Sequence, residues 1–281
     1  MKKTLKLLIK QLPLILFILV VLLSGYTAHH FAYHINDSDF ASELVLGNFL
    51  AEQNKLVSTD WFYGSELRIV STNLVYMPLF KIFHDFPTVY FLGALIIQLL
   101  LVLSYYYLSR QIGLKRNAFL LSAALLLLPV CIYYGRHGLY QTYYAPCFII
   151  GFLVAGLYLS VIGHKGQKKP LAQGLRLFAL FALATGSSLN GARQIPGTFL
   201  PLLVTAFAVS VLSRPKDTPL KDVLSRQRFP LGLAAAVFLC AGFGFFIHNA
   251  VLSRYFVFST ATDGNAVVPS VDLLRSILVG Y

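Results

Sequence analysis

The residues best equipped for chemistry stand just past the first apolar run: His29, His30, His34, Asn36, Asp37, Ser38, Asp39 and Glu43. Two carboxylates two residues apart, Asp37 and Asp39, can bind a divalent cation, set one acid against the other, or take a proton from an acceptor hydroxyl. Asp39 has a plainer use as the cap of a following helix, with Asp37 solvated. His30 and His34 are one helical turn apart, a spacing that suits a metal and equally suits histidines finishing a span at the membrane interface. Farther along, Arg136 with His137 and Arg193 with Gln194 lie in short polar breaks between apolar runs. Arginine grips phosphate through a forked set of donors, and it also reaches from helix ends to lipid headgroups. Arg193 follows the turn-forming run Asn190-Gly191-Ala192. Tyr140, Tyr143 and Tyr144 suit a sugar-lined site or an aromatic belt. The chain has no Walker loop, GxSxG or HExxH run, so nucleotide hydrolysis and familiar serine or zinc hydrolase chemistry have no support.

The elements that must position these residues are apolar. With 57% hydrophobic and 12% charged residues and a mean hydropathy of +0.70, the 281-residue chain reads as an integral membrane protein. The expected fold is an all-α polytopic bundle of about seven transmembrane helices, one membrane domain over 1–281, with no soluble domain or internal repeat. Its first span covers 12–28, a long outer loop 29–86, six further spans 87–248, and an outer tail 249–281. The six later runs are Pro87 to Leu108, Ala118 to Tyr134, Pro146 to Ile162, Leu175 to Leu189, Pro196 to Leu212 and Pro230 to His248. A basic start before an apolar run also describes a signal peptide, but no small-residue cleavage site precedes His29, so the first run reads as a retained span. The tail closes on VDLLRSILVGY, the start of an amphipathic helix without an end, which suggests a piece of a longer protein.

Charge placement orients this bundle. Alternating seven spans from a cytoplasmic amino terminus leaves 16 of the 23 lysines and arginines inside. The remaining seven, Lys55, Arg68, Lys81, Arg136, Arg193, Arg254 and Arg275, fall outside, whereas only Asp217 and Asp222 of the eleven carboxylates stay inside. Orientation therefore accounts for the net charge of +12, and no nucleic acid is needed to explain it. The expected location is the plasma (inner) membrane, with the first loop extracytoplasmic. Within that loop, Ser42 to Leu56 reads as a helix with an apolar face of Leu46, Phe49 and Leu50, capped by Asp39 or Ser42. Leu67 to Phe83 reads as a second amphipathic stretch interrupted by Pro78. Both are expected at the membrane interface, with Trp61, Phe62, Tyr63 and Tyr76 as anchors. Cys131, Cys147 and Cys240 read as buried thiols, with a Cys131–Cys147 disulfide as the alternative. No charge sits mid-span, which argues against a pump or ion-coupled transporter.

A basic cytoplasmic start, one span, and a long outer loop that opens with Asn36-Asp37-Ser38-Asp39 and continues through SELVLGNFLAEQNKLVSTDW resemble the GT-C class of membrane glycosyltransferases. The resemblance implies a module of about seven helices, a polyprenyl-phosphate-linked sugar donor, and an aspartate of the first outer loop acting as base or metal ligand. Many members continue into further helices and a soluble acceptor-binding domain, which this chain does not contain. Asp37 or Asp39 would then be catalytic, and the pair would hold a divalent cation such as Mg or Mn if the reaction is metal-dependent; no other cofactor is implied. Arg193, Arg136 and His137 are the candidates for the donor phosphate. Glu43, Glu66, Tyr140 and Gln194 are the candidates for acceptor or sugar contacts. The partners are the lipid bilayer and the lipid-linked donor. A non-catalytic membrane scaffold and a flippase-like transporter are the alternative functions.

Overall fold

The computed structural model describes residues 2–33, 38–64, 66–131, 134–163, 170–212, 222 and 225–258, with side chains from residue 10 onward and Asp39 excepted. The elements are α1 (Lys2–Ala32), α2 (Ser38–Gln53), β1 (Phe62–Tyr63), α3 (Asn73–Phe80), α4 (Phe86–Gln111), α5 (Arg116–Leu127), a π-helical segment Tyr134–Tyr140, α6 (Ala145–Gly163), α7 (Pro170–Ser188), a second π-helical segment Ile195–Phe199, α8 (Leu200–Leu212), α9 (Arg228–Ala250) and β2 (Val257–Phe258). Among the described residues the protein is all-α apart from β1 and β2, a two-residue parallel pair that joins Phe62 to Val257 and Tyr63 to Phe258.

Among the described residues, five helical stretches are long and apolar enough to cross a membrane: Lys10–Ala32, Phe86–Gln111, Ala145–Gly163, Ile195–Leu212 and Arg228–Arg254. In a hydrocarbon medium each backbone polar group must pair within its own segment, so such leucine-, phenylalanine- and alanine-rich runs become helices. Their outward side chains are apolar, with Leu22 63% and Leu239 70% exposed, a surface water would not tolerate over several helices. Two expected spans differ. The Ala118 to Tyr134 run is not one helix: α5 has 12 residues and stops where Pro129 holds Leu128 extended at φ −84, ψ 127. α7 has 19 residues, but Gln173, Gly174, Arg176 and the Thr185–Ser188 run dilute its apolar content.

α4 packs on α6 and joins two halves. In the first, α1 lies against α4 and α5, while α2 and α3 stack on α4 around Phe40, Leu44, Tyr76, Phe80, Val89 and Tyr90. In the second, α6, α7, α8 and α9 enclose Ile150, Val154, Leu180, Ala184, Phe199 and Val237. α7 and α9 approach so closely that a Cβ on Gly244 would sit 2.3 Å from the Thr185 carbonyl oxygen.

The segment between α1 and α4 is folded into the protein. α2 begins at Ser38, so Ser42 lies inside the helix and is not its cap, and the helix ends at Gln53 with Asn54 at φ 53. Its apolar face is as expected: Leu46 and Leu50 are buried with Tyr63 and Leu67, and Phe49 packs beside them. Leu67 to Ser71 is irregular, and the helix that follows, α3, continues through Pro78 to end two residues later. Tyr63 and Tyr76 are fully buried, so neither is an interfacial anchor; their hydroxyls are used internally, by Ser58 N (3.0 Å) and Thr142 Oγ1 (2.7 Å). Trp61 packs on Phe49, and Phe62 is exposed. All three cysteines are free; Cys131 is exposed rather than buried, and Cys147 and Cys240 are half-buried.

Candidate functional site

The site begins with a backbone problem. Leu67 to Val70 belongs to no helix or sheet, so its N–H and C=O groups need other partners. Asn190, in the turn after α7, supplies them. Its Oδ1 accepts from Ile69 N (2.8 Å) and Val70 N (3.1 Å), its Nδ2 donates to Val70 O (2.8 Å), and Leu67 N donates to its carbonyl (2.9 Å). Gly191 follows at φ 143, a conformation that favours glycine, and lets the chain turn to Arg193. The stapled segment presents Glu66 and Arg68, whose spacing of two puts them on one side of an extended chain.

Arg68 is the hub. Its Nε lies 2.6 Å from Glu43 Oε1, its Nη1 3.1 Å from Glu66 Oε2, and its Nη2 donates to the Tyr143 hydroxyl. The other Glu43 oxygen accepts from Thr72 Oγ1 (2.8 Å), and the other Glu66 oxygen lies 2.7 Å from Arg193 Nε. The guanidinium of Arg68 sits 4.4 Å from the Tyr143 ring centre and that of Arg193 4.8 Å from the Tyr144 ring centre, both within cation–π range. Side-chain exposure rises outward along the chain, from 6% at Glu43 and 11% at Glu66 to 13% at Arg68 and 33% at Arg193.

Two guanidinium groups balance two carboxylates, the condition under which charges can be buried without prohibitive cost. Burial pushes Glu43 above the ordinary carboxylate range, against the opposing pull of Arg68 and the Thr72 hydroxyl. Burial also pushes the Tyr143 phenol up, opposed by Arg68. Arg68 is pulled down by burial, but Glu43, Tyr143 and Glu66 outweigh this and keep it charged.

Glu66, Arg68 and Tyr143 form a wall between two cavities. On one side a space of about 20 Å³ is bounded by Ser71, Ser187, Asn190, Arg193 and Gln194. On the other a space of about 80 Å³ is bounded by Ser42, Glu43, Trp61 and Tyr63. The first shares Cys147 with a groove of about 380 Å³ that runs between α6 and α8, lined by Phe148, Gly151, Phe152, Pro201 and Leu202 among others. Both π-helical segments border this region: one leads through Thr142 into Tyr143 and α6, and the other follows Arg193 and Gln194. Such departures from α-geometry recur at functional sites. Thr142, at φ 56, is a β-branched residue in the left-handed region, kept there by the buried contact to Tyr76.

The structure thus brings together Glu43, Glu66, Arg193 and Gln194, the last of which accepts from Thr198 Oγ1 (2.9 Å). Asp37 lies outside the described residues; Asp39 is in the first turn of α2, one turn before Glu43, and its side chain lies outside them too. Tyr140 is elsewhere, stacked on Phe31 and buried with Leu101, Leu127 and Leu139. Arg136 is exposed, His137 meets Tyr144 edge-on, and neither borders the two cavities. His29 packs edge-on against Tyr33 and Phe91. Sequence reasoning missed Arg68 as the hub, along with Thr72 and Asn190; the Glu66-x-Arg68 spacing was the one available signal. Among the described residues no group of three or more His, Cys, Asp or Glu could hold a metal ion, and the Asp37–Asp39 pair on which that expectation rests falls outside them. No protein-family model matches the chain, and no curated protein or solved structure matches it either.

Proposed function

We propose that this chain is a membrane glycosyltransferase of the GT-C kind, moving a sugar from a lipid-phosphate-linked donor to an acceptor hydroxyl at the extracytoplasmic face. The observation that carries this reading is the adjacency of Arg193 to a groove between two apolar helices, the polar cavity and the groove sharing Cys147. A lipid phosphate has that same division, a charged head on a long apolar tail. In this reading the tail lies between α6 and α8 and the phosphate meets Arg193. The sugar faces the Glu66–Arg68–Tyr143 wall, and the acceptor enters beside Ser42, Glu43 and Trp61.

The transfer forms a bond between the acceptor oxygen and the anomeric carbon and breaks the bond from that carbon to the phosphate oxygen. The electron pair leaves with the lipid phosphate, and the acceptor proton passes to Asp37 or Asp39. Arg193, with Arg68 behind it, stabilises the charge that grows on the departing phosphate. The seven-span topology with a cytoplasmic amino terminus belongs to the same reading. It is supported by the charge distribution and by Leu171, Leu175 and Phe178, an exposed apolar stripe on α7 that suits a lipid-facing helix.

Replacing both Asp37 and Asp39 by asparagine tests the proposal. Sugar transfer from a polyprenyl-phosphate donor, assayed in membranes, is expected to vanish while the melting temperature of the purified protein stays unchanged. Transfer at the wild-type rate refutes the catalytic assignment.

A further inference from the structure

Arg193 is already occupied. Glu66 Oε1 lies 2.7 Å from its Nε, and the adjoining cavity of about 20 Å³ has room for about one water molecule, too little for a phosphate. A phosphate brought to this guanidinium beside the Glu66 carboxylate would also set two anions against each other in a site whose described charges sum to zero. We propose that Glu66 is a stand-in anion: its carboxylate fills the phosphate position at Arg193, and an incoming phosphate group displaces it. The inference rests on the reading that Arg193 receives a phosphate, and adds that the site is closed by the protein's own carboxylate until one arrives.

Three features make the exchange physically reasonable. Arg68 is held on three sides by Glu43, Glu66 and Tyr143 and is 13% exposed, whereas Arg193 is 33% exposed, so Arg193 is the partner that can change anions. Glu66 keeps a partner when it lets go, because its second oxygen is 3.1 Å from Arg68. It also has somewhere to go: it lines the larger cavity of about 80 Å³ on the other side of the wall. Displacement therefore carries a negative charge out of the phosphate side and into the side bordered by Ser42, Glu43 and Trp61. Binding on one side remodels the other, which gives the donor priority over the acceptor.

Trp61 is the only tryptophan in the chain and borders the larger cavity but not the smaller one, so its emission reports the arrival of Glu66. The experiment uses the full chain in lipid nanodiscs, titrated with farnesyl phosphate and, separately, with inorganic phosphate. Wild type is expected to bind farnesyl phosphate with a change in Trp61 emission. Glu66→Gln, which keeps the shape but not the charge, is expected to bind at least about tenfold more tightly, equivalent to about 1.4 kcal/mol, without the wild-type emission change. Arg193→Gln is expected not to bind. Binding of inorganic phosphate as well would show that the headgroup alone displaces Glu66; its failure beside a successful farnesyl phosphate titration would show that the apolar tail is needed. Equal or weaker binding by Glu66→Gln, or wild-type binding with no emission change, overturns the stand-in role while leaving phosphate binding at Arg193 intact. Binding by neither wild type nor Glu66→Gln, or undiminished binding by Arg193→Gln, overturns the phosphate reading and the stand-in role together.

Discussion

The half of the bundle made by α6 to α9 and the charged site beside it are held by opposite means. Within the helical half, the contacts between elements are single side chains on backbone carbonyls, as with Tyr158 on Pro230 (3.1 Å), Gln173 on Val161 (3.1 Å), Thr185 on Cys240 (3.3 Å) and His248 on Leu189 (2.9 Å). Its specificity is one of shape, seen most plainly where Gly244 admits the α7 backbone. The site instead gathers two carboxylates and two guanidinium groups from α2, the Glu66–Arg68 segment and the turn after α7. Burying charge rarely stabilises a fold better than burying hydrocarbon of the same volume would. A protein able to build its other half from shape and a few single hydrogen bonds has kept charges here for a purpose other than holding together.

That contrast can be broken most directly at Arg68. Arg68→Met leaves Glu43 without its cation and Glu66 with Arg193 alone, and is expected to cost about 3 to 5 kcal/mol in denaturant unfolding of the detergent-solubilised protein. Adding Glu43→Leu to it should recover most of this loss while sugar transfer stays absent. A single substitution costing no more than about 1 kcal/mol would mean the network is no more than an ordinary exposed ion pair. A smaller effect is expected at Gly244→Ala, where the added methyl must push α7 from α9 at a cost of about 1 to 3 kcal/mol, with farnesyl phosphate affinity unchanged. A change in that affinity would show that the two regions are coupled rather than contrasted. The smallest effect belongs to Asp85, which caps α4 by accepting from Thr88 N (2.9 Å). Its bonds to Thr88 hold its pKa below the ordinary 3.8, so its contribution is present above that value and lost as pH falls through the lowered one. The melting temperature of wild type should therefore fall slightly on acidification through this range, and Asp85→Asn should lack that part of the slope.

Apolar runs made most of the helices legible, because a hydrocarbon solvent leaves a backbone few alternatives. In the Ala118 to Tyr134 run the helix ends earlier than hydropathy alone suggests, because hydropathy weighs side chains and Pro129 acts on the backbone of an apolar stretch. In the site, Glu43, Glu66, Arg193 and Gln194 could be chosen singly, as polar residues outside the spans. Their pairing could not, since it joins separate segments, and Arg68 looked like one more charge on the outer side. Asn190 was the least visible, because what it binds is backbone, and backbone leaves no mark in a sequence. Tyr140 is three positions from Tyr143 yet turned into an apolar cluster, a difference in direction that sequence proximity does not reveal.

The Asn190 staple also sets when the protein can become competent during its own synthesis. Ile69 and Val70 wait for a partner about 120 positions downstream, and Arg68 for Tyr143 at 75. A ribosome delivers the chain from its amino end, so α1 to α4 can be inserted and packed while the Glu66–Arg68 segment still has no backbone partner. Closing so long a loop adds little entropy beyond closing a shorter one, but it cannot happen before α7 has arrived. Competence is therefore a late event in biogenesis: a nascent chain halted before Leu189 would be anchored in the bilayer with its site unassembled.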